Sequence, residues 1–64
     1  MKCYILIGHD KRESDILRVV FNADDARAAL ESAQESGDGY LYYSVQIWTE
    51  EGLLTIRHKP EFIV

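Results

Sequence analysis

The side chains able to do covalent or metal chemistry are few and scattered along this chain. His9, Asp10 and His58 supply two imidazoles and a carboxylate, a donor set that suits zinc. Zinc ligands recur at short, fixed spacings, and these three residues match none of them. Cys3 is the one cysteine, so neither an internal disulfide nor a CxxC-type site is open to it. In an extended segment Cys3 shares a face with Ile5 and Ile7, expected to point into the core. A thiol among aliphatic groups is inert without a neighbouring base or helix N-terminus. The chain has no Gly-rich phosphate loop, dinucleotide fingerprint or Ser/His/Asp pattern. The expectation is a binding protein rather than an enzyme, with no catalytic residue, metal or cofactor.

The acidic residues are the next candidates, and their distribution says more than their sum. The formal charge is −4. Residues 1–21 carry +1, residues 22–52 carry −6, and residues 53–64 carry +1. Asp24, Asp25, Glu31, Glu35, Asp38, Glu50 and Glu51 face a single opposing cation in that middle stretch, Arg27. Direct nucleic-acid binding needs clustered Lys and Arg to displace phosphate counterions, and this chain points the other way. At 100° per residue, Asp24, Glu31 and Glu35 fall on one ridge of a helix, with Asp38 continuing it if the last turn persists. Glu31 and Glu35 lie ~6 Å apart along the axis, comparable to every second phosphate of a DNA strand at ~3.4 Å each. Such a ridge can dock on a basic groove that normally holds nucleic acid. It is equally the pattern of a solvated helix face with an Arg27–Glu31 pair.

A third group is aromatic. Tyr40, Tyr42 and Trp48 alternate along one extended segment and are expected on the exposed side of a sheet, with Arg57 and the candidate neighbours Tyr4, Leu6, Leu53 and Arg18 on the same side. Interface hot spots favour these residue types. The competing expectation is that the C-terminal tail covers that side.

These residues need elements to position them. Residues 2–7 are apolar and end at Gly8, which reads as a strand; residues 8–15 are a polar hairpin loop; residues 16–21 form a second strand. Leu17, Val19 and Phe21 take one side of it, with Ile16, Arg18 and Val20 on the other. A helix follows, with Asn22 as N-cap, Asp25 in a capping-box-like position, and Asp24 and Asp25 at the positive end of its dipole. Ala23, Ala26, Ala29, Leu30 and Ala33 make its apolar stripe, and Gly37 is its stop. After the Asp38–Gly39 turn, residues 40–48 alternate as a third strand, with Leu41, Tyr43, Val45 and Ile47 inward. Thr49–Gly52 is a hairpin turn. Residues 53–58 form a fourth strand, with Leu54 and Ile56 inward and Leu53, Thr55 and Arg57 outward. Pro60 stops it, and Phe62, Ile63 and Val64 pack back. The expected architecture is one α+β domain over residues 1–64: a four-stranded, mostly antiparallel sheet with one helix on one face (ββαββ) and the other face open.

A chain of 64 residues buries only ~60% of the surface its unfolded form exposes, which leaves its stability marginal. Small secreted domains offset this with disulfides, so a single cysteine argues for a reducing cytoplasm. The N-terminal apolar run is too short for a signal-peptide core or a membrane span. The chain also has the size of the small tautomerases whose catalytic proline follows the initiator methionine, but Lys2 occupies that position.

The segment from Phe21 to Arg57, with its Asn22-Ala23-Asp24-Asp25 helix start, alanine stripe and Tyr40–Arg57 hairpin, resembles the small anti-CRISPR proteins that act on type I systems. Together with the acidity and the ββαββ layout, the resemblance implies a compact, non-enzymatic, bacteriophage-encoded inhibitor, monomeric or weakly dimeric, in the host cytoplasm. It would block the nucleic-acid-binding surface of a Cas subunit, in some cases as a DNA mimic, through Asp24, Asp25, Glu31, Glu35, Asp38, Glu50 and Glu51. The alternative is a small cytoplasmic interaction module that self-associates or binds a partner through Tyr40, Tyr42, Trp48 and Arg57. Neither expectation includes direct nucleic-acid or membrane binding.

Overall fold

A computed structural model describes residues 1–37 and 39–64. Asp38, the last member of the expected acidic ridge, lies outside the described residues. The strands are β1 (Cys3–His9), β2 (Ser14–Val20), β3 (Tyr42–Thr49) and β4 (Gly52–Arg57); the helix α1 (Ala23–Ser36) separates the two hairpins, and a 3-10 turn spans Pro60–Phe62. All pairings are antiparallel, and the sheet order is β2-β1-β3-β4. β2 and β3 flank β1 and therefore run parallel to each other. A tight turn cannot join parallel strands, so α1 makes the crossing over one face.

Local chemistry explains the helix bounds. Asn22 is extended (φ −142°, ψ 158°), and its Oδ1 accepts from the Asp25 backbone N–H at 2.8 Å. Its Nδ2 donates to Asp25 Oδ2 at 2.9 Å. This reciprocal pair satisfies an orphan donor of the first turn. At the other end Gly37 adopts the left-handed conformation (φ 61°, ψ 45°) and donates to Ala33 O, a conformation in which a Cβ is costly.

The alanine stripe brings α1 close to the sheet. Ala26, Ala29, Leu30 and Ala33 pack on Tyr4 and Leu6 of β1 and on Tyr43, Val45 and Ile47 of β3. Leu30 is fully buried, at 0% exposure, a burial that stabilises by about 1.5–3 kcal/mol. The tail closes the same layer. Ile63 is buried in this cluster, Arg27 Nη1 donates to Ile63 O at 2.6 Å, and Tyr4 Oη donates to Val64 O at 3.0 Å. The tail therefore covers the helix side and leaves the other face of the sheet without a covering layer, although Ile7 and Ser44 near its middle are only 7% and 2% exposed.

Several face assignments differ from the sequence-based expectation. Tyr4 and Leu6 point to the helix, so Cys3, Ile5 and Ile7 lie on the open face. In β2 the register shifts between the partners of Leu6 and Ile7, making Leu17 an extra residue; Ile16 and Val19 then share the open face and Arg18 and Val20 the helix side. In β4 a second shift leaves Leu54 unpaired. Thr55 and Arg57 pair with Ile47 and Val45 and so face the helix side, whereas Leu53 and Ile56 face the open side. Each extra residue reverses the alternation beyond it.

Candidate protein-binding surfaces

The open face is built in rows across the four strands. Val19, Ile5, Gln46 and Ile56 form one row; Cys3, Trp48 and Leu53 form another. Ile16, Ile7 and Ser44 make a third, and Ser14, His9 and Tyr42 the fourth. Large apolar side chains stand in solvent here: Ile16 is 68% exposed, Tyr42 52% and Val19 46%. None of the strand residues on this face is Asp, Glu, Lys or Arg, although the chain has eighteen of these.

Several polar groups of the face are bonded to one another. His9 Nε2 lies 2.6 Å from Ser44 Oγ, and His9 Nδ1 lies 3.0 Å from Ser14 Oγ. The imidazole stacks on Tyr42 with ring centroids 4.4 Å apart and planes 8° apart. Tyr42 in turn meets the His58 ring at 6.1 Å. Trp48 Nε1 donates to Gln46 Oε1 at 2.9 Å. The His9–Ser44 contact has the atoms of a nucleophile and a base, but Ser44 is only 2% exposed, so no substrate reaches its oxygen. Among the described residues, no group of three His, Cys, Asp or Glu side chains is placed to hold a metal.

Two of the four aromatic-face candidates sit elsewhere. Tyr42 and Trp48 are on the open face. Arg57 is on the helix side, opposite Val45. Tyr40 precedes β3 and folds over the helix side, where its ring covers Gly8 and meets Tyr43 edge-on at 5.8 Å. Tyr40 Oη donates to Asp15 Oδ2 at 2.7 Å. That hydrogen bond, followed by desolvation and the Asp15 charge, raises the phenol above its ordinary value. Leu41, expected inward, is exposed before β3 begins. Cys3, Ile5, Ile16, Val19 and Ile56 join the open face unforeseen. Both sides of β1 are apolar, so alternation alone does not say which one the helix takes.

The acidic candidates divide among elements. Glu31 and Glu35 stand exposed on the solvent ridge of α1 and make no ion pair among the described residues. Asp24, on the same ridge, is bonded to Arg27, so the cation pairs with Asp24 rather than Glu31. Asp25 is engaged in the N-cap. Glu50 and Glu51 belong to the β3–β4 turn. Glu50 accepts from the Met1 α-ammonium at 2.7 Å, and that bond, with a backbone hydrogen bond, lowers its carboxyl below the ordinary range. A third feature is a shallow groove of about 310 Å³ between α1 and β2, with Leu17, Arg18, Ala29 and Tyr40 on its walls.

No family model matches the chain, and no curated protein or solved structure matches it. No described helix is long and apolar enough to cross a membrane.

Proposed function

We propose that this chain is a non-catalytic protein-binding module of a reducing cytoplasm that works through its open sheet face. The observation that carries the reading is the combination on that face of exposed Ile16, Val19, Tyr42, Leu53 and Ile56 with no charged strand residue. Contiguous exposed apolar surface on a small soluble domain marks an interaction site, and loss of charge with gain of aromatic residues is the compositional sign of an interface centre. Nucleic acid finds no cation there to replace its counterions. The test is affinity capture from a lysate of bacteria that express the chain, with immobilised wild type, Ile56→Lys and the Glu31→Lys/Glu35→Lys double variant. The open-face reading expects capture to persist at high salt and in the double variant, and to vanish in Ile56→Lys. Capture indifferent to Ile56→Lys overturns it.

A second reading has one observation in its favour, the unpaired Glu31 and Glu35 on the outer ridge of α1. In it the chain is an inhibitor of the anti-CRISPR type, carried by a bacteriophage, that occupies a basic nucleic-acid-binding surface on a host complex such as a Cas subunit. Engagement of Asp24 by Arg27 and of Asp25 in the cap leaves this ridge shorter than a phosphate ladder. The same capture experiment separates the two: here binding is lost at high salt and in the double variant, because the attraction is Coulombic and screened within ~8 Å at physiological ionic strength.

A further inference from the structure

We infer that the occupant of the open face is a second copy of this chain, packed sheet against sheet with the helices outermost. The inference rests on the open-face reading above and adds the identity of the partner.

Two features of the face lead to it. Several of its polar side chains are already bonded within the copy: Ser14–His9–Ser44 form one set and Trp48–Gln46 another. Burying these groups therefore costs less than burying free ones, and the Tyr42 hydroxyl and Gln46 amide N–H groups are left to bond across the seam. The face also offers no charge for a differently charged partner to recognise. Strongly apolar, charge-depleted patches characterise the interfaces of homodimers rather than those of transient complexes, which resemble the rest of a protein surface.

Electrostatics permits the pairing. The net charge of −4 lies off this face, much of it on α1 and the β3–β4 turn. With the sheets about 10 Å apart and a helix layer of similar thickness outside each, the acidic ridges of two copies stand roughly 30 Å from each other, several Debye lengths. The area is sufficient. Four strands of about seven residues, ~4.8 Å apart and rising ~3.3 Å per residue, give a footprint of about 400 Å². Side-chain relief raises that to roughly 600 Å² per copy, so a dimer buries about 1,200 Å², the lower end of specific interfaces. A two-fold axis through the face sets Ile5, Gln46 and Ile56 of one copy near those of the other, and the sheets align or cross as twisted sheets do.

The experiment is sedimentation equilibrium over about 1 µM to 1 mM, a range that brackets micromolar to millimolar dissociation constants, with Trp48 emission recorded on the same samples. Trp48 is the one tryptophan and lies on the face, so burial shifts its emission to the blue. The expected result is a mass rising from 7.4 kDa toward twice that value, with a matching blue shift. Ile56→Lys, which buries an ammonium twice per dimer, should weaken association by at least about 100-fold. The Glu31→Lys/Glu35→Lys variant should dimerise as wild type does. Val19→Lys, on the edge strand, is the second variant should Ile56→Lys fail to fold, and far-UV circular dichroism checks both. A monomer at all concentrations with unchanged emission overturns the second-copy assignment, and the lysate capture then judges the face independently. A dimer that survives a folded Ile56→Lys or Val19→Lys also overturns it, the copies then meeting elsewhere.

Discussion

A Gly8→Ala substitution puts a methyl group where the Tyr40 ring lies. An ideal Cβ on Gly8 comes 2.7 Å from Tyr40 Cγ, 2.8 Å from Cδ1 and 2.9 Å from Cδ2. All three are ring atoms close to the backbone anchor rather than the mobile end of a chain, so the ring must move by about 0.7 Å or more to restore ordinary contact. It is held against that movement by Tyr43 edge-on and by the Oη–Asp15 bond. Forcing a methyl into a filled site costs about 1–3 kcal/mol. Replacing a strand glycine by alanine returns about 0.5–1 kcal/mol of backbone entropy. The net expectation is a loss of about 1–2 kcal/mol, or roughly 5–15 °C in Tm for a domain of this size. The assay is thermal and urea unfolding of wild type, Gly8→Ala, Tyr40→Ser and the double variant. Removing the ring first should abolish the penalty, so that alanine at position 8 becomes neutral or stabilising in the Tyr40→Ser background, a coupling of at least about 1 kcal/mol. Additive effects, or a Gly8→Ala protein as stable as wild type, would refute the packing of Tyr40 on β1 and return its ring to the open face.

Leu30→Ala empties the centre of the helix–sheet layer and should cost about 2–5 kcal/mol. Against a total of roughly 3–10 kcal/mol for a chain of this length, chemical denaturation should find the variant largely unfolded or close to it. Asn22→Ala removes the acceptor for the Asp25 N–H and should lower stability by about 0.5–2 kcal/mol; an unchanged urea midpoint would show the cap to be idle. The Tyr40 phenol is raised above 10.0 in the folded chain, so its contribution is complete at neutral pH and is lost as pH climbs through that raised value. Wild type should accordingly lose stability more steeply above pH 10 than Tyr40→Phe does, and parallel alkaline melting curves would exclude the Asp15 bond. The opposite sign holds for Glu50: its lowered carboxyl contributes above its unfolded range and loses that contribution as pH falls through the folded value. Glu50→Gln should flatten the acid limb of the stability profile measured by thermal melts between pH 2 and 5.

Local chemistry made much of this molecule legible from residue order alone. Asn22, the paired aspartates after it, the alanine stripe and Gly37 specify where α1 starts, which side it buries and where it stops, because capping and helical period act over a few residues. Two hairpins around one helix, and hence an α+β sheet with one bare face, follow from the same reasoning. So does the concentration of acid in residues 22–52. The membership of the bare face is a different matter. β1 is apolar on both sides, so only packing against α1 and Ile63 decides that Tyr4 and Leu6 join the helix layer and that Cys3, Ile5 and Ile7 take the opposite side, where Ile7 is still only 7% exposed. The extra residues at Leu17 and Leu54 reverse the alternation of both edge strands, exchanging Thr55 and Arg57 for Ile56 on the open side. Tyr40 leaves that side because Gly8, distant in sequence, provides a flat seat for its ring next to Asp15. Side-chain period records how a strand alternates; contacts made across the fold choose which half of the alternation meets water, and that choice creates the uncharged face on which the functional reading stands.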